Sequence, residues 1–449
     1  MQQDAGSGSA SDRKPGVQER DAGAASMLPD AAQVIEKPKT SPGPSKPKQE
    51  STPVKSDAAI DDDAGAQDPS ADEMAVAALG KSVFEDRSLS RTGTVSCGSC
   101  HAKELAFTGS NDHDQPSFPV SRGAADHTFG TRNAPTAMYT QFNPPLRFVQ
   151  DPSDPTRYIA MGGLFWDGRA DSLSEQAAQP FVNAREMGLP DQQAVIERVG
   201  KAKYASMFEQ VFGAGSLADV TQAYRQLTDS IAAFERTGSF RPFSSRFDRY
   251  LQEQVQLSEL EQQGFALFKD PSKANCIACH AGTLESHEPE AWLFTNFEYQ
   301  SLAVPRNMQI VDNKDESYVD LGLCQSPVVM AKLPVAIADK DAFLASLCGA
   351  FRVPTLRNVA KTAPYMHNGC FLELREAVAF HVTRETDPAH WYPSDSAGSV
   401  LKYNDLPEQY WSNINTSTAP FDRGASDEPS VSATEIDAIV AFLTTLSDD

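Results

Sequence analysis

Cys97-Gly98-Ser99-Cys100-His101 and Cys276-Ile277-Ala278-Cys279-His280 are the stretches on which the reading of this 449-residue chain turns. A Cys-x-x-Cys-His run is the attachment pattern of c-type haem. Two thiols add across the vinyl groups, and the adjacent imidazole reaches the iron from the proximal side. Zinc sites and redox dithiols also use paired cysteines, but both runs here end in the required His. The expectation is therefore two covalently bound haem c groups, one on Cys97, Cys100 and His101, the other on Cys276, Cys279 and His280.

Working outward, each run is preceded by the same short pattern. Leu79-Gly80-Lys81-Ser82-Val83-Phe84-Glu85-Asp86 leads into the first, and Gln263-Gly264-Phe265-Ala266-Leu267-Phe268-Lys269-Asp270 into the second. Both keep a Gly, an aromatic four residues on and an Asp six residues on. The second is entered through a capping box, Ser258 with Glu261. In register with the two haem runs, this echo predicts two related cytochrome c-type helical domains, each with a helix leading into its haem. Ile436, Ile439, Val440 and Leu443 fall at helical spacing after a second capping box, Ser432 with Glu435. Leu173 to Ala178 and Val220 to Phe234 read the same way, and long alternating strand patterns are missing. Joints rich in Pro and Gly, at 116–130 and 303–327, add substantial loops to a mainly α body.

Residues 1–72 contain no Phe, Tyr, Trp, Cys or His and are rich in Ala, Asp, Ser, Pro and Gly. Such a segment buries too little apolar surface to offset its ordering entropy and is expected to be a disordered tether. The expected organisation is thus a tether over 1–72, an N-terminal haem domain over 73–250 and a C-terminal haem domain over 251–449. No stretch approaches the roughly 20 apolar residues that span a bilayer. Covalent haem attachment in bacteria takes place outside the cytoplasm, which predicts a periplasmic protein whose export signal is absent from this sequence. The opening Met1-Gln2-Gln3-Asp4 and the long tether also suit a lipid-anchored form. A net charge of −22 argues against nucleic-acid binding and can steer a basic redox partner such as a small cytochrome c. Of the three cysteines outside the haem runs, Cys324 and Cys348 are expected to form a disulfide in an oxidising compartment, leaving Cys370 buried and inert.

From Glu73 onward the chain resembles the bacterial di-haem cytochrome c peroxidase and MauG family. The resemblance is carried by both haem runs, Arg132-Asn133-Ala134-Pro135-Thr136, Phe165-Trp166-Asp167-Gly168-Arg169-Ala170, Glu186-Met187-Gly188, Val353-Pro354-Thr355-Leu356-Arg357-Asn358-Val359 and Thr362-Ala363-Pro364-Tyr365-Met366-His367-Asn368-Gly369. It implies that the N-terminal haem, with His101 as proximal ligand, reacts with peroxide, and that the C-terminal haem delivers the electron. Aligning Val120-Ser121-Arg122-Gly123 puts Ala124 where many members carry a distal His. His127, three residues late, then reads as a solvated loop residue, and the first iron as open to peroxide without prior reduction.

Trp166 matches the family's Trp between the haems, an electron relay. Gln176 and Glu186, ten and twenty residues later, match its distal pair, with Glu186 as proton shuttle and Gln176 as the group that orients peroxide. Taken alone Glu186 would read as a surface charge; its spacing reverses that. Asn133 with the carbonyls of Thr362 and Pro364 matches the family's calcium site. Fourteen residues after His367, where the peroxidases place Met and MauG places Tyr, stands His381. This predicts His280/His381 ligation of the second iron, at a lower potential than His/Met. His390, Tyr392 and Met366 are weaker candidates, and His367 is expected to support the haem environment.

The expected function is a di-haem peroxidase that reduces hydrogen peroxide to water with electrons from a small cytochrome c or cupredoxin. One alternative is MauG-like oxidation of a protein or organic substrate through high-valent iron. Another, of a different class, is a non-enzymatic di-haem electron carrier. Family peroxidases are often homodimers, and that assembly is carried over only by the resemblance.

Overall fold

Ser70 starts the first helix, Ala71–Phe84, with a capping box. Its hydroxyl accepts from the Glu73 amide at 3.2 Å, and the Glu73 carboxylate accepts from the Ser70 amide at 2.8 Å. The computed structural model describes residues 70–109 and 118–449. The expected tether and the lipid anchor at its start lie outside these residues, apart from 70–72. The first helix therefore begins two residues ahead of Glu73, because Ser70-x-x-Glu73 is itself a start signal.

The echoed Gly, aromatic and Asp have the same work in both copies. A Cβ on Gly80 would lie 1.8 Å from the Ser230 carbonyl oxygen, and one on Gly264 would lie 1.9 Å from that of Ala438. Each glycine thus lets a haem-leading helix cross a later helix at backbone contact: Ala71–Phe84 over Val220–Glu235, and Glu259–Lys269 over Ala433–Thr444. Phe84 and Phe268 are buried four residues on, each worth about 2 kcal/mol of transfer free energy. Asp86 and Asp270 then turn the chain by accepting from the amides of Ser88 and Ser272, both at 2.8 Å.

The fold is mainly helical with little sheet. Arg147–Asp151 pairs antiparallel with Asp154–Met161, and Tyr299–Gln300 with Phe351–Arg352. One apolar core gathers Leu79, Val83, Phe181, Val195, Phe208, Leu227 and Ile231. A second gathers Phe268, Trp292, Phe294, Phe380, Ile439 and Phe442. The helix Arg246–Leu251, which carries the expected domain boundary, contributes Phe247 and Leu251 to the second core. Beside it Arg357 holds Asp248 at 2.8 and 3.0 Å, with both side chains buried. Cys324 and Cys348 form the expected disulfide, closing a 24-residue separation. Cys370 is a half-buried free thiol that burial keeps well above its usual pKa. No helix among the described residues is long and apolar enough to cross a membrane.

Candidate di-haem active site

Each haem run forms one tight turn that sets its thiols and imidazole. At the first, the His101 amide donates to the Cys97 carbonyl at 2.9 Å, and at the second the His280 amide donates to the Cys276 carbonyl at 2.8 Å. Burial pushes all four thiols up, to about 11 for Cys100 and Cys279 and about 12 for Cys276. A redox dithiol needs a lowered thiol pKa, and a zinc site needs thiolates. Raised thiols do not suit a redox dithiol, and it is the His closing each run that selects haem over zinc.

The imidazoles are arranged for ligation. His101 Nδ1 bonds the Phe107 carbonyl at 2.9 Å. His280 Nδ1 lies 3.1 and 3.2 Å from the carbonyls of Phe294 and Pro354, and His381 Nδ1 lies 2.7 Å from that of Ala377, one helical turn back. A ring whose Nδ1–H is spent on a carbonyl offers a bare Nε2 to a metal. Burial pushes His280 down to about 4 and lowers His101 and His381, which keeps the rings neutral. His381 projects from the helix Leu374–Thr383 and lines a cavity of about 230 Å³ together with Cys276, Cys279 and His280. The weaker candidates fare differently. His390 is exposed, the Tyr392 hydroxyl is spent on the Ala303 carbonyl at 2.7 Å, and Met366 lines the cavity. The residues at both runs thus fit covalent haem.

Helix Leu173–Val182 ends at Asn183, whose side-chain amide donates to Glu186 Oε1 at 2.7 Å. Gln176, Gln179 and Asn183 share one face at i, i+3 and i+7. Glu186 is held above the usual carboxylate range by burial, opposed by the Arg169 charge and the Asn183 bond. Its charge also helps raise the thiols of Cys97 and Cys100. The Ala124 amide donates to the Glu186 carbonyl at 2.7 Å and its side chain is buried there, whereas His127 is exposed.

Known proteins are similar to this chain. The di-haem cytochrome c peroxidase family profile matches residues 74–256. The methylamine utilization protein MauG of Paracoccus denitrificans is 34% identical over 377 residues, which cover 83% of this chain and 89% of that protein. The cytochrome c551 peroxidase of Nitrosomonas europaea is 29% identical, over 68% of this chain and 71% of its own. The crystal structure of the diheme peroxidase BthA from Burkholderia thailandensis superposes with a TM-score of 0.75 at 36% identity, covering 83% of this chain and 86% of that one.

The chain belongs to the di-haem cytochrome c peroxidase and MauG family. It is an oxidoreductase of the di-haem peroxidase type, which sets aside the non-enzymatic carrier. Membership implies two haem c groups.

Within this family member, Trp166 lines the same cavity as His280 and His381, and its indole N–H donates to the Asn133 carbonyl at 2.8 Å. Asn133 Nδ2 in turn meets the Pro364 carbonyl at 2.5 Å, and Thr362 lines the same cavity. His367 stacks on Phe351 with centroids 3.5 Å apart, edge-on to Trp166 at 6.5 Å. Around Trp166 runs an ionic chain that sequence reading missed. Arg132 grips Asp320 at 2.6 and 2.7 Å and Asp167 at 2.7 Å, and Asp167 also receives Arg169 at 2.9 Å. Arg169 continues to Gln179 at 2.8 Å, on the helix that carries Gln176. Arg132 lies in the Arg-Asn-Ala-Pro-Thr motif and Asp167 and Arg169 in Phe-Trp-Asp-Gly-Arg-Ala, a usable signal, whereas Asp320 lies in no motif.

Proposed function

We propose that this chain is a periplasmic peroxidase, reducing hydrogen peroxide to water with single electrons from a small cytochrome c or cupredoxin. The observation that carries the reading is the half-buried carboxyl of Glu186, which accepts from Asn183 at 2.7 Å while its backbone carbonyl accepts from the Ala124 amide at 2.7 Å, Ala124 being the residue we align with the family's distal His. Haem c, held by Cys97, Cys100 and His101 and by Cys276, Cys279, His280 and His381, supplies a redox-active iron at each site.

Glu186, with its raised pKa, takes the proton from the near oxygen of peroxide and returns it to the leaving oxygen. Gln176, on the helix Leu173–Val182 that Asn183 ends, orients peroxide by hydrogen bonding. The electron path proposed runs from the His280/His381 side through Trp166, whose ring orientation is fixed by the Asn133 carbonyl. Asn133, Thr362 and Pro364 are the proposed calcium ligands. Turning the Asn133 amide over would present its oxygen beside the Pro364 carbonyl, an all-oxygen set suited to a hard cation. The Cys324–Cys348 disulfide supports an oxidising compartment.

The test is peroxide-dependent oxidation of reduced cytochrome c by the fully oxidised holoprotein. Turnover without pre-reduction is expected. No turnover, with or without pre-reduction, overturns the peroxidase reading. His381 in place of the thioether and Ala124 in place of the distal His favour MauG-like oxidation of a protein or organic substrate as the second reading. Peroxide consumption that leaves cytochrome c untouched but covalently alters another protein would select it.

A further inference from the structure

Three arginines are almost wholly buried among the described residues: Arg352, Arg357 and Arg384. Arg357 is paired with Asp248 at 2.8 Å and Arg384 with Glu385 at 2.6 Å. Arg352, 6% exposed, forms no ion pair with any described carboxylate. Its strand pairing with Tyr299 fixes its backbone, its amide donates to the Trp166 carbonyl at 2.9 Å, and its Nε donates to the Phe165 carbonyl at 3.1 Å. The guanidinium carries more donors than this one carbonyl uses.

Arg352 lines the cavity that holds Cys276, Cys279, His280 and His381. Two carboxylates line that cavity as well, but both are taken: Asp320 by Arg132 at 2.6 Å and Asp405 by Arg306 at 2.7 Å. A buried cation left without an anion is far costlier than a paired one. The missing anion must therefore arrive with whatever fills the cavity.

We propose that Arg352 binds a propionate carboxylate of the haem attached at Cys276 and Cys279, and raises the reduction potential of that haem. The proposal rests on the two-haem reading above. Arg352 is a positioning residue: a charge beside the propionate stabilises the extra electron of the reduced state, and its bonds to Phe165 and Trp166 tie that carboxylate to the Trp166 backbone.

The test is a redox titration of wild-type holoprotein, R352M and R352K, after haem content is measured by pyridine haemochrome. A wild type without two haems would fail the two-haem reading itself, separately from this inference. With two haems present, R352M is expected to shift the second haem's equilibrium about tenfold toward the oxidised form, about 59 mV for one electron. R352K, which keeps the charge, is expected to stay near wild type, and the first haem to stay unmoved. Should R352M not take up its second haem, R352Q carries the same test, since it keeps a donor for the Phe165 carbonyl. An unshifted potential in the neutral variant, or an equal shift in R352K, would reduce Arg352 to a backbone clamp and overturn the proposal. So would a wild-type potential that tracks chloride concentration, which would assign the cation to a solvent anion.

Discussion

Glu186 and Glu235 are two carboxyls near the same haem run with opposite consequences for the molecule. Glu186 is held by Asn183 at 2.7 Å and is the group placed to move a proton. E186Q is expected to lower peroxide turnover by about 10²–10⁴-fold while leaving both haem spectra unchanged, measured by steady-state cytochrome c oxidation. Glu235, fully desolvated at the end of helix Val220–Glu235, is pushed up to about 8. Its native pKa exceeds the unfolded value of 4.5, so the native state binds a proton that the unfolded chain releases. Its contribution to stability is full below pH 4.5 and is lost as pH rises toward 8. Urea unfolding of E235Q should match wild type at pH 4 and exceed it at pH 8 by about 2–4 kcal/mol.

At the scale of elements, the two haem-leading helices show why a faint echo of three residues carries weight. Gly80 and Gly264 touch the backbones of Ser230 and Ala438, so a methyl group at either has nowhere to go. G80A and G264A should each cost about 2–4 kcal/mol in denaturant unfolding, through forced separation of the crossed helices. G93A has open space around it and meets only the strain of φ +72°, so about 1 kcal/mol is expected. Equal losses at all three positions would argue that backbone strain, not helix approach, sets the requirement. The echo was legible because helix crossing, an apolar anchor and an Asx turn each demand one residue type at one spacing. The Ser70 capping box was equally legible by type; it lies at the edge of a segment whose composition otherwise reads as unstructured.

At the scale of the whole molecule, the Cys324–Cys348 bridge closes a loop that begins four residues after Asp320, the partner of Arg132. With the cysteines separated by 24 positions, chain entropy puts its contribution at about 3 kcal/mol. The C324S/C348S double variant should retain both haems and unfold at lower denaturant by about that amount. Loss of haem attachment instead would mean that the staple acts on the haem sites directly. The C-terminus is tied in as well: Asp448 accepts from Tyr139 at 2.8 Å and from Asn358 at 2.7 Å, joining segments more than 300 residues apart in the first case.

Haem attachment is written in five contiguous residues, and helix starts, glycine crossings and the bridging cysteines are local requirements too. These the chain declares by itself, and with them the family. Tertiary structure alone decided which charges meet: Arg132 with Asp320 across 188 residues, Ala124 against Glu186, and Arg352 beside the second haem run with no carboxylate of its own. A guanidinium in a sequence looks the same whether it will be paired, exposed or buried waiting for an anion. Only the path of the chain settles which desolvated charge finds a partner.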